Sequence, residues 1–162
     1  MHRIVLLTSL AVCLILSPNF TSADDLSGAG KAVDGRTLVI AGKTVRLYGI
    51  DSPDRQQSCF TKHKKEFPCG KIAFTALATL IRNVELYCNY TEPTAENSEI
   101  QYVICRAGPM DVAKQHVLQG WAFADPETGD NYRRAERGAR VLNEGLWKGK
   151  FELPWIWRKQ HR

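Results

Sequence analysis

Arg46, Asp51 and Asp54 are the residues of this chain whose types and spacing suit phosphate chemistry. They lie in Val45-Arg46-Leu47-Tyr48-Gly49-Ile50-Asp51-Ser52-Pro53-Asp54. The apolar positions Val45, Leu47 and Ile50 read as a strand that runs into a turn. A guanidinium inside the strand and two carboxylates at its end are the parts of a metal-assisted phosphodiester site: acids hold a cation, and the guanidinium stabilises charge developing on phosphorus. A second turn, Val33-Asp34-Gly35-Arg36-Thr37-Leu38, stands just upstream.

The elements that must position these groups are legible from periodicity. Segments 26–33, 37–41 and 43–50 read as strands, the last two joined tightly at Ala41-Gly42. Segment 70–82 reads as a helix, with Ile72, Ala73, Ala76, Leu77, Leu80 and Ile81 on one stripe. Two more strands hold Cys88 and Cys105 and are separated by the polar loop 91–99. Asp111 is an N-cap candidate for a short helix ending at Gly120. A last helix over 131–143 gathers Tyr132, Ala135, Ala139 and Leu142, and Gly145 stops it. Periodicity alone supports a small mixed β-barrel with helices.

The start of the chain has the form of an export leader. Met1-His2-Arg3 is a short positive region, residues 4–16 are apolar apart from Thr8 and Ser9, and Thr21-Ser22-Ala23 is a small-residue cleavage site. The apolar run is short for a membrane span, and Val12 before Cys13 is a poor fit to a lipoprotein box. The expectation is a signal peptide over 1–23, a single domain over 24–162, and an exported product, periplasmic or secreted, with no membrane span after cleavage. The formal net charge of +5 at pH 7 is mild support for a polyanionic partner.

Export makes the remaining cysteines, Cys59, Cys69, Cys88 and Cys105, readable as two disulfides, with three possible pairings. Zinc is the competing reading, but the spacings contain no Cys-x-x-Cys. Cys88 and Cys105 fall in strand-like runs that suit cross-strand pairing, and Cys59 and Cys69 bracket the basic loop Lys62-His63-Lys64-Lys65. The expected pairs are therefore Cys59–Cys69 and Cys88–Cys105.

In the order and spacing of these motifs the chain resembles the staphylococcal nuclease (thermonuclease-like) family, in its secreted bacterial branch with paired cysteines. The resemblance rests on Val33–Leu38 and Val45–Asp54 as quoted. It also rests on Pro68-Cys69-Gly70, Val117-Leu118-Gln119-Gly120-Trp121-Ala122, Tyr132-x-x-x-Glu136-x-x-Ala139, Gly145-Leu146-Trp147-x-Gly149 and the tail Pro154-Trp155-x-Trp157-Arg158. It covers about 32–158. It implies a five-stranded barrel of the oligonucleotide-binding (OB-fold) kind with three helices.

For function the resemblance implies calcium-dependent cleavage of DNA or RNA, and the residues meet that expectation unevenly. Asp51 matches a calcium ligand, Ser52 the carbonyl donor, Arg46 the first catalytic arginine, and Asp54 stands at the position of the water-positioning Glu. Asp54 is one methylene shorter than Glu. Arg36 replaces the second metal-binding Asp, so a site for a hard cation receives a cation instead. Arg36 either points to solvent or forks onto Asp51 or Asp54 as the counter-charge. The position of the second catalytic arginine falls at Ile100, behind an acidic loop, and Asp125–Asp130 stand where nucleotide-stacking tyrosines are expected.

Other features have plainer readings. His63 and His116 lack partners at metal-ligand spacing, and Arg106 falls on the barrel exterior. Arg133, Arg134, Arg137 and Arg140 make a basic helix face that suits nucleic acid, acidic polysaccharide or simple solubility. Trp121, Trp147, Trp155 and Trp157 are expected to pack on the barrel. Three functions compete: a calcium-dependent nuclease; a degenerate domain, monomeric, with a binding or accessory role and calcium needed only if active; and an accessory protein of exopolysaccharide (succinoglycan-type) biosynthesis. The degenerate reading best fits Arg36 and Asp54, with nucleic acid or another anionic polymer as the partner.

Overall fold

The computed structural model describes residues 25–91, 100–128 and 130–161. The leader expected over 1–23 and the acidic loop 92–99 lie outside the described residues. Five strands form the barrel: β1 (Leu26–Ala32), β2 (Thr37–Ile40), β3 (Lys43–Leu47), β4 (Glu85–Tyr90) and β5 (Gln101–Ala107). The antiparallel ladders run β3-β2-β1-β4-β5, and a parallel pairing of β3 with β5 closes the cylinder, with Arg46 opposite Tyr102 and Leu47 opposite Val103. Closure removes both sheet edges. A short strand, Met110–Asp111, extends β5.

Alternation decides which side chains fill the barrel. In β3, Val45 and Leu47 are buried while Arg46 between them is half-exposed. Leu38, Ile40, Leu86 and Val103 fill the same core with essentially no exposure. Four α-helices pack around it: α1 (Cys69–Leu80), α2 (Val112–Leu118), α3 (Arg133–Val141) and α4 (Pro154–Gln160). Asp111 caps α2 by accepting the Lys114 N–H, as its position predicts.

Four expectations need correction. The described residues hold four α-helices rather than three, because Pro154 at the first helical position starts α4 where the sequence reads as a tail. The expected strand 43–50 divides: β3 ends at Leu47, Gly49 turns the backbone at φ +80, and Ile50–Asp51 pairs instead with Phe123–Ala124. A Cβ at Gly49 would also lie 2.6 Å from the Tyr132 ring. In α1 the buried stripe is Ala73, Leu77 and then Ile81, with Ile72 exposed; in α3 Leu142 lies past the helix end and is 69% exposed.

A second core sits beside the barrel. The Cys59–Cys69 disulfide, Phe123 and Leu146 are buried together, covered by Trp121, Trp147, Phe151 and Trp155. Trp157 instead stacks on His161, with ring centroids 4.2 Å apart. Cys88 and Cys105 are directly opposed on β4 and β5 and form the other disulfide, with Cα atoms 4.1 Å apart. Both pairings match the expected ones. Arg106 is exposed on β5, outside the barrel.

Candidate functional site

Asp34 builds the first wall of the site. Its Oδ1 accepts the N–H groups of Arg36 (2.8 Å) and Thr37 (2.7 Å), and its Oδ2 accepts the Thr37 hydroxyl (2.9 Å). This local turn chemistry is what Asp offers a backbone leaving a strand. The Arg36 carbonyl accepts the Leu47 N–H at 2.9 Å, which ties the turn to the end of β3. Arg36 is thereby aimed across the barrel mouth.

The second wall is the segment after Gly49. Asp51 is buried, 3% exposed, and Ser52 is buried beside it. The Ser52 N–H donates to Asp51 Oδ1 at 2.8 Å, and the Ser52 hydroxyl donates to the Trp121 carbonyl at 3.0 Å. Asp54 is half-buried, and its carbonyl lies where Gly70 opens α1: a Cβ there would sit 1.7 Å from the Asp54 oxygen. Glycine is required for that approach.

The carboxylates are met by two arginines. Arg36 Nη1 lies 2.6 Å from Asp51 Oδ1. Arg158 from α4 donates to Asp51 Oδ2 (2.5 Å) and Oδ1 (3.2 Å), and also to Asp54 Oδ2 (2.9 Å). Burial works against the Arg158 charge, but hydrogen bonding and attraction to Asp51, then Asp54, outweigh it and raise its pKa. Buried Gln57 sets the approach of α4, since its side-chain amide donates to the Glu152 carbonyl at 2.7 Å just ahead of the helix. Two positive and two negative charges thus neutralise one another at this mouth.

Asp51, Ser52 and Asp54 are brought together as their spacing predicts, and Arg36 turns onto Asp51 through a single contact rather than a fork. Arg46 is not drawn in. It lies outward on β3 next to Thr37 and Tyr102 and makes no ion pair among the described residues. Arg158 is the residue sequence reasoning missed. The signal available was Pro154 at a helix start, which puts Trp155 and Arg158 three residues apart on one face. Ile100, at the position of the second catalytic arginine, cannot supply a positive charge.

The residues present do not fit a calcium ion. Calcium asks for about six to eight oxygen ligands, and both Asp51 oxygens here carry guanidinium contacts. Among the described residues no group of three or more Asp, Glu, His or Cys side chains is placed to hold a metal ion. The hollow above the cluster, about 240 Å³, is lined by Arg36, Tyr102, Asp125, Glu127, Trp155 and Arg158.

No family model matches the chain. It is 26% identical over 141 residues to the succinoglycan biosynthesis protein ExoI of Rhizobium meliloti (strain 1021), covering 86% of this chain and 73% of that one. It is 29% and 27% identical over 123 residues to CAN2 and CAN3 of Oryza sativa subsp. japonica, each described as a probable staphylococcal-like nuclease. The chain resembles the staphylococcal nucleases. The matched region is 73% of this chain but spans only 30% and 29% of the two rice proteins. The five-stranded barrel is the architecture expected of a nuclease-like domain, so relatives and fold agree. Fold alone does not carry the activity.

Proposed function

We propose that this nuclease-like protein is exported, carries out little or no phosphodiester hydrolysis, and serves as a binding or accessory module for an anionic polymer. One observation carries the reading: the carboxylate of Asp51, which would have to hold the cation, is clamped between Arg36 and Arg158. A guanidinium in the cation's place supplies charge balance but no Lewis acid and no activated water. Asp54 shares Arg158 and is therefore also committed. Two disulfides suit an oxidising compartment, and among the described residues no helix is long and apolar enough to cross a membrane. The likeness to a protein named for succinoglycan biosynthesis supports an exopolysaccharide as the polymer.

A second reading, a calcium-dependent nuclease, is favoured by the rice relatives and by the presence of Arg46, Asp51 and Ser52 at matching positions. Calcium titration separates the two. A ligand stabilises the native state by RT ln(1 + [L]/Kd), about 2.7 kcal/mol at a hundredfold excess over Kd. Thermal unfolding at about 10 mM calcium should leave Tm unchanged if Kd exceeds that concentration by an order of magnitude. Single-stranded DNA should survive with calcium as well as it does with an Arg46→Ala control. A Tm that climbs with calcium, or DNA cleavage that Arg46→Ala abolishes, would establish the nuclease instead.

A further inference from the structure

α3 carries Arg133, Arg137 and Arg140, four and three residues apart, so helical geometry sets them on one face. They line a hollow of about 340 Å³ that is separate from the Asp51 cluster, with Glu136, Pro126 and Trp155 completing its walls. Like charges at these spacings repel, and little in the fold offsets them. Arg133 pairs with Asp130, which is 82% exposed, and Arg140 lies over the Trp147 ring at 4.8 Å. Arg137 has no ion pair among the described residues. Glu136 already accepts the Ala124 N–H through Oε2. The hollow is therefore a concave, positively charged site with one indole wall.

We infer that this hollow binds a carboxylate-bearing sugar of an acidic polysaccharide. The inference rests on the proposed binding role and adds to it the ligand class and the site. Guanidinium groups match a sugar carboxylate in charge and in forked geometry. The Trp155 indole offers a flat apolar surface beside them, as a sugar ring requires. A nucleic acid fits less well. Tracking a phosphate backbone needs a continuous run of cations, whereas the cations here are interrupted by Glu136 inside the hollow and by Asp130 on Arg133. Carboxylates beside guanidiniums suit a ligand that offers hydroxyl donors as well as an anion. Trp155 and Pro126 also line the hollow over Arg36 and Arg158, so a chain of sugars leaving the site has a path towards the α4 cluster.

The test is calorimetric binding of tetragalacturonate to the purified, oxidised protein, with maltotetraose and a ten-nucleotide oligo-dT as comparison probes. The expected result is binding of tetragalacturonate and no binding of maltotetraose. Arg137→Gln combined with Arg140→Gln should weaken binding at least about tenfold, since each removes a hydrogen bond to a charged group. Trp155→Phe should weaken it less, and Arg134→Gln, which does not line the hollow, should leave it unchanged. Circular dichroism of each variant checks that the fold is intact, and Arg137→Glu alone should abolish binding.

Tetragalacturonate binding that ignores the Arg137 and Arg140 substitutions would overturn the site while leaving the binding role standing. Oligo-dT bound more tightly than tetragalacturonate, and lost in the same variants, would overturn the saccharide assignment. Absence of binding to either anion would overturn both site and ligand. Calcium-dependent DNA cleavage, read separately, would instead overturn the function on which the inference rests.

Discussion

Replacing Arg158 by Met tests the clamp directly while keeping most of the side chain's apolar stem. The Asp51 side chain is 4% exposed, that of Arg158 21% and that of Asp54 34%. Removing one partner of a fully buried ion pair costs about 3–5 kcal/mol, because the other charge is stranded. Here Arg36 still contacts Asp51 Oδ1 at 2.6 Å, and Arg158 is partly solvated. The expected loss is therefore about half as large, ~2 kcal/mol. For a domain of this size that is a fall in Tm of about 6–10 °C.

A double-mutant cycle then assigns the loss to its partner. Arg158→Met with Asp51→Asn should show a coupling of at least about 1 kcal/mol. Arg158→Met with Asp54→Asn should show below about 0.5 kcal/mol, since Asp54 is the more exposed acid. Most of the Asp51 coupling should survive about 1 M salt, because buried pairs are poorly screened. A Tm change under about 2 °C, or a larger coupling to Asp54 than to Asp51, would refute the clamp. The α4 arginine would then be a solvated arm, and the argument against a cation at Asp51 would rest on Arg36 alone.

Restoring Arg36→Asp and Asp54→Glu together with Arg158→Met should make Tm rise with calcium. Adding Ile100→Arg should raise DNA cleavage above the wild-type level, since one lost transition-state donor commonly costs ~10²–10³ in rate; no calcium response in either variant would refute the account of the site. Replacing Cys88 and Cys105 by Ala should lower stability by about 2–4 kcal/mol, read by urea unfolding, and a neutral result would mean the β4–β5 ladder needs no cross-link. His116 is fully buried and burial lowers its pKa from 6.5 to about 4, against a smaller opposing pull from the Gly35 backbone. Both states are neutral above pH 6.5; below it the unfolded chain takes up the proton first, so stability should fall by up to about 3 kcal/mol as pH drops to about 4. His116→Gln should flatten that slope, and an unchanged slope would place the acid sensitivity elsewhere.

The barrel strands and the first three helices were legible because their signals are local. Alternation of Val45, Arg46 and Leu47 depends on neighbours in sequence, as does the Asp111 cap, and both appear as expected. Asp51, Ser52 and Asp54 were legible as a group for the same reason, since four positions hold them together whatever the rest of the chain does. Arg36 stood out as a cation at a metal-ligand position, but its turn towards Asp51 is a tertiary fact. The split of the expected strand at Gly49 is another, since Ile50–Asp51 finds its partner at Phe123–Ala124.

By itself, then, the sequence determined a small disulfide-linked barrel and the residue types available at its mouth, because covalent spacing and side-chain period act over a few residues. Tertiary structure decided which charges meet. Arg158 lies 107 positions from Asp51 and reaches it because buried Gln57 holds the Glu152 carbonyl ahead of α4. The same helix brings Trp155 to the hollow lined by the arginines of α3, which sequence showed only as a basic face. Coulomb attraction and hydrogen bonding act over ångströms in space, so the partner of a buried carboxylate cannot be read from its place along the chain.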